Sequence, residues 1–118
     1  MKNSYAEMPA FVTKDGSLVR ELMHPQSHGN AMQSLAEAIV SVGMTTELHR
    51  HLTSEELYHV TQGEGEMTLG DAVFGVASGD TVCIFPGTAH KIRNTGQVEL
   101  KILCASSPPY AHEDTELL

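Results

Sequence analysis

A two-residue alternation governs most of the chain. From Val98 to Lys101 apolar and charged residues exchange at every step, and Ile102 and Cys104 extend the apolar set. That rhythm predicts a strand with one buried face. "GEMTLG", "AVFGVA", "DTVCIFPG" and "HKIRN" are further short runs, divided by turns at Gly63/Gly65, Gly70, Gly79, Gly87 and Gly96. In "SLAEAIVSV" alanine and glutamate favour helix, but Ala36, Ala38, Val40 and Val42 alternate and Gly43 ends the run, which predicts a strand. Nearer the N-terminus, "TKDGS" predicts a hairpin turn at Asp15-Gly16, "SLVRELM" a strand and "HPQSHGNAMQ" a loop. Short strands with turn residues about every ten positions predict an all-β chain, a sandwich or small antiparallel barrel.

"GMTTELHRHLTSEELYHVTQG", Gly43 to Gly63, carries the chemistry. On a helix His49 and His51 would point roughly 200° apart. On a strand they share a face. The strand-rich surroundings favour the second reading, with "LTS" as the turn and Glu56 returning on the next strand. Two imidazoles and a carboxylate then converge, a set suited to iron, manganese, nickel, copper or zinc. A cation also offsets the cost of a buried glutamate. His90, placed by the Pro86-Gly87 turn, is a fourth candidate ligand. Three histidines and a carboxylate around an octahedral ion leave two adjacent positions open. The residual charge of about +1 favours an anionic chelating ligand, such as a carboxylate, enediolate or catecholate.

Composition narrows the classes. The 118 residues match a single domain, with 41% hydrophobic and 19% charged residues as in folded proteins. The net charge of −8 argues against nucleic acid and anionic membrane as partners. The start "MKNSYAEMPAFVTKDG" has no signal-like apolar segment and no run approaches a membrane span, so a cytoplasmic location is expected. Cys83 and Cys104, without CxxC spacing, are expected as buried reduced thiols. The acidic "HEDTELL" is expected to be a solvated terminus.

The opening stretch resembles the first motif of the cupin superfamily: glycine, five residues, His-x-His, three or four residues, Glu, six residues, glycine. Gly43, His49, His51, Glu56 and Gly63 match, and the spacing selects Glu56 over Glu55. "GDTVCIFPGTAHKIRN" is similar to the second motif at Gly79, Gly87, His90 and Asn94, and departs from it at Phe85, where the motif has proline. The resemblance implies a double-stranded β-helix (jelly-roll) barrel, with its core about 33–106, N-terminal strands 10–23 and a tail 107–118. It implies one divalent metal held by His49, His51, Glu56 and His90. It further implies a homodimer formed through the strands near "FVTKDGSLVREL".

Parity assigns the remaining residues. Tyr58 shares parity with Glu56 and is expected inward, as a hydrogen-bond donor or acid toward a bound ligand. Met44, Met67 and Ile92 are expected to form the dry lining of the pocket, and Cys104 to pack in the core or line the cavity. His59 should face away from the metal, and His24, His28 and His112 should lie on the surface or close over the barrel mouth. Arg50, Lys91 and Arg93 should point outward, leaving Arg20 as the inward cation. Asn94 should stabilise its turn. Three functions fit this pattern: a metalloenzyme of the dioxygenase, decarboxylase or isomerase type acting on a small organic acid or enolate, with iron, manganese or nickel; a non-catalytic binding or sensor module; and a structural zinc site.

Overall fold

The computed structural model describes residues 1–118. Eleven strands form two antiparallel sheets. The strands are β1 (Phe11–Val12), β2 (Leu18–Met23), β3 (Ser34–Val40), β4 (His49–His51), β5 (Glu55–Gln62), β6 (Glu64–Leu69), β7 (Ala72–Ala77), β8 (Thr81–Ile84), β9 (His90–Asn94), β10 (Leu100–Ser107) and β11 (Thr115–Leu117). One sheet runs β1-β2-β3-β10-β5-β8 and the other β11-β4-β9-β6-β7. This two-sheet antiparallel arrangement agrees with the all-β architecture that the strand rhythm predicts and with the jelly roll that the motif resemblance implies.

The inward faces build the core. Val40, Val60, Met67, Val76, Ile84, Ile92, Leu100 and Ile102 form one buried cluster, with Tyr58 at its border. Gly63, which closes the first motif, has φ +86°, and a Cβ there would lie 3.0 Å from the Glu99 carbonyl oxygen. Both facts require glycine. The departure at Phe85 leaves its turn intact. Thr88 N–H closes Phe85-Pro86-Gly87-Thr88 onto the Phe85 carbonyl at 3.2 Å, Gly87 adopts φ 80°, and the Phe85 ring faces solvent.

Several expectations change. "HEDTELL" is no solvated terminus: Thr115–Leu117 is β11, paired antiparallel to β4 with Thr115 opposite His51. "HPQSHGNAMQ" is not all loop. Pro25–His28 forms one helical turn, with Pro25 at its start and the His24 side chain capping Gln26 N–H. His24 is thereby buried, its Nε2 2.7 Å from the Tyr110 carbonyl oxygen, rather than on the surface.

Cys83 is exposed, because Val82 and Ile84 take the inward parity on edge strand β8. Val42 and Val98 fall outside their strands and are exposed, as is Met44, which therefore lines nothing. Arg20 is not an inward cation. Ser17, Val19 and Glu21 face the cavity, while Arg20 turns to the N-terminal segment, bonds the Met8 carbonyl and lies 4.4 Å over the Tyr5 ring.

Candidate metal centre

The alternation on β4 sends both histidines inward, and β9 delivers His90 directly opposite His49. All three are buried, and each offers a ring nitrogen within 4.8 Å of the others'. Glu56, first of the inward residues on β5, places Oε1 3.1 Å from His51 Nε2 and 3.6 Å from His90 Nε2. The four residues singled out by the motifs thus meet at one end of the barrel interior.

The far nitrogen of each ring is occupied. His49 Nδ1 is 2.8 Å from the Glu47 carbonyl oxygen, and His90 Nδ1 is 2.9 Å from that of Thr88. A carbonyl only accepts, so both Nδ1 atoms carry the proton and both Nε2 atoms present a lone pair. His51 Nδ1 is 3.0 Å from Thr115 Oγ1, whose own hydroxyl donates to the Ala111 carbonyl at 3.0 Å. Thr115 must therefore accept from His51 Nδ1–H. His90 Nε2 is fully buried and has no hydrogen-bond partner. Two oriented imidazole lone pairs, and a third imidazole that a metal would deprotonate, beside a carboxylate are the donor chemistry a divalent transition metal takes, and acceptors behind each ring are the usual outer support of such ligands.

Electrostatics point the same way. Burial works to raise the pKa of Glu56, but the hydrogen bond from His51 and the imidazole of His90 outweigh it and hold the carboxyl at about 2. The His49 pKa is lowered by burial and by neighbouring His90. Burial also presses down on His51, but the bond to Glu56 and its charge prevail, and that pKa rises. Without metal, His51 and Glu56 therefore form an imidazolium–carboxylate pair, and a metal would displace its proton.

A cavity with an empty volume of about 560 Å³, counted out to its mouth, opens beside the centre. Tyr58 lines it, as its parity predicts, with its ring edge-on to His90 at 5.9 Å. Burial and then the Glu56 charge push its pKa well above the ordinary value, so the phenol stays protonated. Cys104 also lines the cavity and is kept protonated by burial and the same carboxylate. Met67 and Ile92 lie in the dry core instead of the pocket wall. His59 faces away from the centre, bound to Thr81, and Asn94 ties its turn together through Val40, Val98 and Gly96.

Among the wall residues that were not anticipated, four bring polar or aromatic groups from the chain's two ends: Asp15 and Glu21 from the N-terminal hairpin, and Tyr110 and Thr115 from the C-terminal segment. Asp15 Oδ2 lies 3.7 Å from His49 Nε2, and the Tyr110 ring stands edge-on to His51 at 5.9 Å. The inward parity of Ser17, Val19 and Glu21 was the available signal for Glu21. Nothing in local spacing marks the others.

The profile of the cupin domain matches residues 36–106, and the chain belongs to the cupin family. An uncharacterized protein of Methanocaldococcus jannaschii is 55% identical over 118 residues, covering 100% of this chain and 94% of that protein. Among solved structures, Streptomyces Pac13, described as a nucleoside dehydratase, aligns with a TM-score of 0.82 at 15% identity, over 100% of this chain and 90% of that one. Bacillus subtilis oxalate decarboxylase aligns with a TM-score of 0.85 at 18% identity, over 100% of this chain and 32% of that one. These two establish the fold.

Proposed function

We propose that this cupin is a metal-dependent enzyme in which His49, His51, Glu56 and His90 hold one divalent transition metal, and that it acts on a small organic acid or enolate. The observation that carries this reading is the buried, unpartnered Nε2 of His90, converging with two other imidazoles whose opposite nitrogens are all tied. Iron, manganese and nickel suit the set best, and zinc also matches it. When bound, the metal would supply Lewis-acid polarisation of a ligand oxygen, in an oxygenation, decarboxylation or isomerisation.

The chain's own groups supply the rest. Glu56 compensates two positive charges in part. Tyr58, kept protonated, donates a hydrogen bond toward a ligand in the cavity. Ala36 and Ala38 with the other small wall residues leave it room. The whole chain is read as one domain. The open edge of β1, where Phe11 and Val12 are exposed, supports pairing with a second copy; sedimentation of the Val12→Lys variant as a monomer, against a dimeric parent, tests it.

Metal analysis of protein purified without added metal separates the alternatives. Iron, manganese or nickel with an exchangeable water supports an enzyme, and oxygen-consumption and product assays over dicarboxylates, catechols and diketones would then identify the reaction. Tight binding without turnover supports a sensor. Zinc at full occupancy without a solvent ligand, and a fold that collapses with chelator, supports a structural site. Protein that takes up no transition metal at all would refute the proposal.

A further inference from the structure

The cavity wall bears on the kind of ligand that meets the centre. Strand register aligns Glu21 of β2, Ala36 of β3, Cys104 of β10 and Tyr58 of β5 in one row across the sheet. Three strand spacings make that row roughly 14 Å long. It has a carboxyl at one end, a phenol at the other and two small side chains between them. Such a floor fits a flat or ring-shaped body.

The charges on the wall are one-sided. Asp15, Glu21 and Glu56 line the cavity, and no lysine or arginine does. Asp15 is fixed in place: its Oδ1 accepts from Thr13 Oγ1 at 2.8 Å, Ser17 N–H at 2.9 Å and Ser17 Oγ at 2.6 Å, leaving Oδ2 toward the centre. Glu21 is different, because its Oε2 is buried with no hydrogen bond. Burial lifts its pKa against the opposing pull of His24 and His28. A dry acceptor without a donor is costly, and a ligand hydroxyl would satisfy it. A dicarboxylate with one carboxylate at the centre would instead turn its second charge toward Asp15 and Glu21, where no lysine or arginine receives it.

We propose that this cavity takes a neutral, hydroxyl-rich ligand (an enol, phenol or polyol), with one hydroxyl directed to the histidine centre and another donated to Glu21, while Asp15 and Glu21 exclude dicarboxylates. This rests on the metal-centre reading, keeps the enol side of its ligand class and sets the organic acids aside.

Calorimetric titration of zinc-loaded protein with catechol and with oxalate tests it, in the parent, Glu21→Gln and the Asp15→Asn/Glu21→Gln double variant. The parent should bind catechol more tightly than oxalate, and the double variant should lower that affinity ratio by about tenfold or more. Should Asp15→Asn loosen the hairpin tip, Glu21→Gln alone must lower the ratio by about threefold. A parent that prefers oxalate, or a ratio that stays fixed in both variants while zinc remains bound, overturns the proposal. Failure of the parent to bind zinc or any other transition metal instead overturns the metal reading beneath it.

Discussion

The barrel interior has two ends built on opposite terms. At one end Met67, Leu100, Val60 and Ile102 are almost wholly buried within one apolar cluster. At the other, three histidines and Glu56 are buried as deeply, yet His90 Nε2 has no partner and Glu56 depends on His51 for its charge. The dry end is complete as it stands. The polar end leaves a buried nitrogen without a partner. Stability and binding should therefore separate by location, with Tyr58 on the boundary.

His51→Ala should produce the largest effect. Metal affinity should fall by more than about a hundredfold, since a ligand and the partner of Glu56 go together, while the circular dichroism of the sheets persists. Full metal occupancy in that variant would break the comparison. Leu100→Ala should do the reverse, costing about 2–5 kcal/mol in urea unfolding while the folded fraction binds metal as before.

The metal-free protein should also be acid-sensitive at the polar end. Glu56, held at about 2 against an ordinary 4.5, contributes stability that is present above the ordinary value and lost as pH falls toward 2. Glu56→Gln should flatten that acid limb by about 3 kcal/mol between pH 5 and pH 2, read from urea midpoints. The smallest effect is expected from Thr115→Val, which removes the acceptor behind His51. Metal affinity should weaken by about ten- to a hundredfold, with unfolding nearly unchanged. In the parent protein, metal affinity should climb with pH through and beyond the ordinary histidine range, because the raised pKa of His51 keeps a competing proton in place.

The sequence disclosed the polar end unevenly. His49 and His51, one residue apart on a strand, had to share a face, and Pro86-Gly87 had to turn the chain before His90. The spacing within each motif is local, so it survives translation into sequence. Asp15, Glu21, Tyr110 and Thr115 come from opposite ends of the chain through pairings that no nearby residue encodes. Asp15 also sits in an Asp-Gly turn, where a carboxylate ordinarily serves the backbone. On β2 the pattern was ambiguous, since Leu18 and Leu22 flank Arg20 while Val19 and Met23 flank Glu21. Apolar residues on both faces concealed which one looked inward. A different difficulty hid β11, whose three residues are too few to show alternation and lie in an acidic segment.

The pairing of β11 with β4 also orders events in time. A ribosome must release Thr115 before His51 acquires its acceptor, and until then β4 lies at the rim of its sheet with one long side unpaired.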